Sequence, residues 1–109
     1  MKIVCNNEIL FDAVKPADTF ALRFQGLMFR KKLEPSEGLL LLDCSRIHTN
    51  FMRFPIDVVY LSEELHILDV ETVRPWRIGK RVKGTRHVLE VPENAARKLK
   101  PGELIARVG

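Results

Sequence analysis

The chain has 109 residues, 46% hydrophobic and 29% charged, which suits one domain with its own core and excludes a disordered chain. Its net charge of +4 is uneven: residues 1–71 carry eight Lys/Arg against eleven Asp/Glu, residues 72–109 ten against three, so the second half offers an anionic partner a basic surface or simply solvates a basic loop. Two cysteines are too few for a disulfide framework and fit no zinc spacing, and no run reaches the roughly eighteen apolar residues of a membrane span.

The opening MKIVCNNEIL has no apolar signal region. A reduced, cytoplasmic protein is expected, with free thiols, no membrane partner and a single domain over 1–109. Lys2–Cys5 and Glu8–Val14 are short apolar runs around Asn6-Asn7, a pair that tolerates positive φ, and they predict a hairpin. A helix is expected next. Pro16 suits a first turn, Phe20, Phe24, Leu27 and Met28 recur at helical spacing, and Asp18 precedes Arg23, Arg30, Lys31 and Lys32 in the order the helix dipole favours. Gly26, unfavourable inside a helix, marks its end or a close backbone contact.

Leu33–Glu37 reads as a loop and Gly38–Leu42 as a short strand buried on both faces. Ile56–Leu61 and Leu65–Val73 flank Ser62-Glu63-Glu64 as a second hairpin, and a change of apolar parity between Ile67 and Leu68 suggests a bulge. Residues 74–86 form a basic loop. His87–Val91 is a strand, Pro92–Leu99 a short helix closed by Lys100-Pro101-Gly102, and Glu103–Val108 a last strand. The sum is an α+β fold: a strongly bent, mostly antiparallel sheet approaching a small barrel, with one longer N-terminal helix and one short C-terminal helix.

The order of motifs is distinctive. Gly26-Leu27-Met28 precedes Gly38 and its leucine run; Ile47-His48-Thr49, Phe51-Met52 and Pro55-Ile56-Asp57-Val58-Val59 follow; then come Pro75-Trp76, Leu89-Glu90 and a late Pro-Gly. This resembles the family called "domain of unknown function 192", over roughly residues 10–108. The resemblance implies a compact, strand-rich domain, a partly open barrel with flanking helices, and no established activity. Some relatives carry an export signal or lipid anchor, which this chain is not expected to have.

Residues 44–57, CSRIHTNFMRFPID, concentrate the reactive side chains. Cys44, His48, Asp57, His66 and His87 are possible metal ligands, but no second pair completes a tetrahedral site, so no metal and no cofactor are expected. Cys44, His48 and Asp57 form a nucleophile set on paper, with no spacing that enforces contact. Arg74, Arg77, Lys80, Arg81, Lys83 and Arg86, with Trp76, could track phosphates and stack a base.

Strand alternation puts Asp57 on one face with Val59 and Leu61, where a carboxylate needs a partner; Arg53, Arg74, Arg23 and His48 are candidates. A purely architectural reading has Thr49 and Asp57 holding backbone groups around Pro55. The function read from the sequence is a non-enzymatic binding or accessory domain. Its groove of His48, Thr49, Met52, Asp57 and Trp76, rimmed by Arg53, Arg74, Arg77, Lys80 and Arg81, would take a small anionic or sugar-like ligand. A nucleic-acid-associated protein using residues 74–86 is the second reading, and a Cys/His-dependent enzyme the third.

Overall fold

A computed structural model describes residues 1–109. In chain order its strands are β1 (Lys2–Cys5), β2 (Glu8–Phe11), β3 (Ala13–Ala17), β4 (Glu37–Leu41), β5 (Ile56–Leu61), β6 (Ile67–Val73), β7 (His87–Pro92) and β8 (Ile105–Val108), with one helix, α1 (Phe20–Gln25), between β3 and β4. They form two sheets, ordered β2-β1-β8 and β3-β4-β7-β5-β6. Every pairing is antiparallel except that of β3 with β4.

Local chemistry explains the turns. Asn6 and Asn7 adopt φ of 53° and 63° and join β1 to β2 as the expected hairpin. The second hairpin also forms: Tyr60 pairs with Asp69 and Leu61 with Ile67, so Leu68 is the extra residue of a bulge where the parity changed. The expected run Glu8–Val14 instead divides at Asp12. Its first part pairs with β1, and its second part leaves for the larger sheet beside β4. The Met1 amine donates to the Val14 carbonyl (2.8 Å) and Val14 N–H donates to the Met1 carbonyl (3.0 Å), joining the two sheets at this point.

The helix content corrects the α+β expectation: the fold is mostly sheet, with no long N-terminal helix and no C-terminal helix. Pro16 does not open a helix but lies in β3, an edge strand, where its missing N–H interrupts no ladder. The helix that follows has six residues. Thr19 caps it, its Oγ1 accepting from Leu22 N–H at 3.1 Å, and Gly26, at φ 50°, ends it. At the other end of the chain, residues 92–99 make successive three-residue turns, with Ala95 N–H donating to Pro92 O (3.0 Å) and Leu99 N–H to Ala96 O (3.1 Å). Asn94, at φ 68°, interrupts any helical run there, and Ala96 N–H is diverted to the Asp57 carboxylate at 3.1 Å.

Both faces of the larger sheet are buried, and β5 is buried at every position. One face, with Leu40, Val59, Leu61, Leu89 and Val91, packs on Ile3, Phe11 and Ile105 of the small sheet and on Ala96 and Leu99 of the turns. The other, with Leu41, Ile56, Val58, Tyr60 and Val88, is covered only by connecting segments, through Leu27, Ile47 and Met52. This second covering layer holds the candidate site.

Candidate functional site

β7 lies between β4 and β5, so both its neighbours are strands and its side chains are buried on either face. Alternation points Val88 and Glu90 toward the segment-covered face, with Glu90 opposite Leu39 and Val58. Above it runs Gly26-Leu27-Met28, the exit of α1. A Cβ on Gly26 would stand 3.7 Å from Glu90 Oε1, and the positive φ of Gly26 disfavours any larger residue there. Between these elements is a cleft of about 210 Å³, lined among others by Arg23, Leu27, Cys44, Arg46, His48 and Glu90.

Glu90 dominates the cleft. It is 2% exposed, and burial pushes its carboxyl up to about 8, with no hydrogen bond or neighbouring charge to offset the desolvation. At neutral pH it is therefore a protonated acid, able to donate one hydrogen bond and accept others. Arg23 donates to the Leu42 carbonyl (3.2 Å) and Arg46 to the Gly79 carbonyl (3.1 Å), which fixes both guanidinium groups and leaves them further donors. The Cys44 thiol donates to the Arg46 carbonyl at 3.0 Å, and burial raises its pKa above the ordinary thiol value. His48 stands beside Phe24, with ring centroids 5.4 Å apart, and its Nδ1 accepts from Asn50 N–H at 3.2 Å.

Outside the cleft, the same covering layer carries an unusual surface. Phe51 touches Trp76 (centroids 4.7 Å, interplanar 59°) and Phe29 (5.3 Å, 37°). These rings are 62% (Phe29), 47% (Phe51) and 56% (Trp76) exposed. Each sits at the third position of a turn with φ of 66°, 64° and 62°, where glycine or asparagine is the ordinary occupant. A bulky residue there costs on the order of 1 kcal/mol.

The sequence-expected groove is not assembled as a unit. His48 and Met52 line the cleft. Thr49 is fully buried and ties a loop: its Oγ1 donates to Arg74 O (2.6 Å) and accepts from Arg77 N–H (2.8 Å). Asp57 faces the opposite side of the sheet, accepting from Thr72 Oγ1 (2.7 Å) and Ala96 N–H (3.1 Å) rather than from Arg23, Arg53, Arg74 or His48. Cys44, His48 and Asp57 consequently form no catalytic set.

Trp76 lies on the outer surface. Of the basic loop, Lys80 pairs with Asp69 (2.6 Å) and Arg86 with Asp43 (2.9 Å), while Arg53, Arg74, Arg77, Arg81 and Lys83 enter no ion pair. The three histidines are dispersed: His66 bridges to Leu104, His48 to Ile78, and His87 Nδ1 accepts from Asp43 N–H. Both cysteines are free thiols, and no helix is long and apolar enough to cross a membrane.

Glu90 and Arg46 lie outside the groove expected from the sequence, in which Arg23 is expected only as a partner for Asp57. A signal existed for Glu90. In HVLEV it shares a strand face with Val88, the same parity argument that drew attention to Asp57.

Comparison with known proteins gives the chain its relatives. The family model DUF192, described as "Uncharacterized ACR, COG1430", matches residues 3–106. UPF0127 protein PH1112 of Pyrococcus horikoshii is 35% identical over 91 residues, which is 81% of this chain and 79% of the relative. UPF0127 protein TK1120 of Thermococcus kodakarensis is 34% identical over 99 residues, 85% of this chain and 63% of that longer relative.

Two solved structures share the fold. A protein of unknown function from Novosphingobium aromaticivorans superposes with a TM-score of 0.79 at 23% identity, covering 86% of this chain and 74% of that one. A protein described as a putative transcription regulator from Sinorhizobium meliloti superposes with 0.77 at 20% identity, covering 96% and 89%.

Proposed function

We propose, for a chain that belongs to the DUF192 family of uncharacterised proteins, a non-enzymatic binding function: the cleft under α1 takes a small anionic molecule that bears hydroxyl groups, a sugar acid in chemical class. The observation that carries this is Glu90, a buried acid that faces a cavity with no internal partner. A protonated carboxyl there matches a hydroxyl or carboxylate, which accepts from it and, through a hydroxyl, donates back. Arg23 and Arg46 add positive charge that the neutral acid does not cancel. Apolar walls from Leu27, Leu41, Ile47 and Met52 suit a ring face, and about 210 Å³ lies below the usual 300–1,000 Å³ of drug-sized sites, which favours a small ligand.

The non-enzymatic reading is supported by the Cys44 thiol, whose raised pKa and bond to a carbonyl leave it a poor nucleophile. Nucleic-acid binding through residues 74–86 has weaker support, since Lys80 and Arg86 already hold Asp69 and Asp43.

The test is an amide-shift titration with a panel of sugar acids and sugar phosphates at pH 6 and pH 9. Saturating shifts at Gly26, Leu27, Cys44, His48 and Glu90 are expected at pH 6. Affinity should fall about tenfold or more at pH 9, when ionised Glu90 repels the anion, and the fall should vanish in Glu90→Gln. If no panel member moves these amides at millimolar concentration, the cleft reading fails.

A further inference from the structure

We propose that the Phe29–Phe51–Trp76 ladder docks this protein on an anionic lipid surface, independently of what the cleft holds. The three aromatic residues stand at the third position of three separate turns, Leu27–Arg30, Thr49–Met52 and Arg74–Arg77. Each adopts the left-handed backbone that favours glycine or asparagine, and each leaves a large part of its ring in water. Backbone bonds from Phe29 N–H to Phe51 O and from Trp76 N–H to Thr49 O join the turns, and a smaller side chain would serve those bonds equally. The rings bury little against the core, and a smaller polar residue would relieve the backbone. Three rings held together at turn tips, with so much of each in water, suit a partner outside the chain.

The surroundings identify that partner's chemistry. The apolar surface continues on the same covering layer: Ile78 (68% exposed) pairs with His48, which touches Phe24 (57% exposed). Arg53, Arg74 and Arg77 are exposed beside the ladder and belong to no ion pair. A second copy would bring two cationic rims together, so the patch is ill suited to itself. Successive nucleic-acid bases stack on separate aromatic platforms along a groove, whereas these rings lean on one another at tilts of 37° and 59°. An anionic lipid surface satisfies both features at once. Aromatic tips enter the boundary between headgroups and acyl chains, and guanidinium groups remain level with the phosphates.

Trp76 is the protein's one tryptophan, so its fluorescence reports directly on the ladder. The full chain is mixed with vesicles of phosphatidylcholine alone and of phosphatidylcholine with phosphatidylglycerol. A blue shift with cosedimentation is expected on the anionic vesicles, with affinity roughly tenfold or more above that for phosphatidylcholine alone.

The variant Phe29→Asn/Phe51→Asn should lose about tenfold or more of that affinity while its thermal midpoint stays level or rises, because asparagine tolerates the left-handed turn position. Arg53→Gln/Arg74→Gln/Arg77→Gln should abolish the preference for anionic lipid. The proposal is overturned if Trp76 emission is unmoved by either vesicle, or if the asparagine variant binds as the unsubstituted chain does. It is also overturned if the emission responds to a single-stranded oligonucleotide but not to vesicles, or shifts with protein concentration alone.

Discussion

Asp57 on β5 and Glu90 on β7 are both buried in one sheet, 3% and 2% exposed, and they face opposite layers. Asp57 looks toward the small sheet and the turns of residues 92–99, where it accepts from Thr72 and from the Ala96 backbone. Glu90 looks toward α1 and the connecting segments and accepts nothing from them. The difference lies in the covering layers. A chain of turns leaves amide groups free to donate, and Asp57 takes one. The layer over Glu90 packs Leu27, Ile47 and Met52 on the sheet and makes no hydrogen bond to the carboxyl, which keeps its proton. Equal burial therefore makes Asp57 part of the framework and leaves Glu90 available to a ligand.

The largest expected effect would break this contrast at Glu90. Its folded-state pKa is raised from 4.5 to about 8. Between those values the folded protein holds a proton that the unfolded chain has released, so stability falls as pH rises through the window and levels off above about 8. At about 1.4 kcal/mol per unit the loss is roughly 5 kcal/mol. Glu90→Gln keeps the shape and removes the titration. Urea unfolding from pH 4 to pH 9 should show the decline in the natural chain and a flat profile in the variant. Parallel profiles would mean that Glu90 has an unseen partner.

Asp57→Ala should also lower stability, by a somewhat smaller amount. It strands the buried Ala96 amide, while the exposed Thr72 hydroxyl turns to water, for a loss of roughly 3 kcal/mol near neutral pH. Hydrogen exchange at Ala96 should accelerate more than exchange in β1, because the turns of residues 92–99 lose their anchor first. Equal acceleration throughout would show that Asp57 supports the whole core rather than that segment.

The sequence made the strands legible and the helices not. Period-two alternation, the Asn6-Asn7 turn and the parity change at Leu68 are local signals, and the structure follows each of them. The helices failed where long-range pairing prevailed over local pattern. Pro16 suits a helix start or an edge strand equally, and only the partner β4, more than twenty residues away, decides between them. Residues 92–99 carry helical composition, but the Asp57 carboxylate takes the Ala96 amide that a helix would need.

The candidate site was partly visible. His48 and Met52 both line the cleft, whereas Asp57 faces the other layer, because alternation gives a face without saying which layer covers it. Glu90 obeys the same parity rule, but its strand lies far in sequence from the reactive stretch 44–57. The exposed ladder had no local signal, since nothing in Phe29, Phe51 or Trp76 alone announces a left-handed turn.

The smallest effect sharpens the comparison at the roof of the cleft. α1 has six residues and none is buried, so its attachment consists of the Thr19 cap, the Gly26 terminus, the Arg23 bond to Leu42 and the contact of Phe24 with His48. A helix this short does not stand alone in water. Thr19→Ala removes the acceptor for Leu22 N–H, worth about 1 kcal/mol of helix stability. If the layer over Glu90 opens locally, that loss remains local: exchange at Leu22, Arg23 and Gly26 rises about fivefold, and the global unfolding energy moves by less than about 0.5 kcal/mol. The Asp57 side, bound through sheet and turns, cannot loosen in this piecemeal way. A global loss of the full 1 kcal/mol would instead place α1 in the same cooperative unit as β7, and the cleft would then open only by unfolding the sheet that carries Glu90.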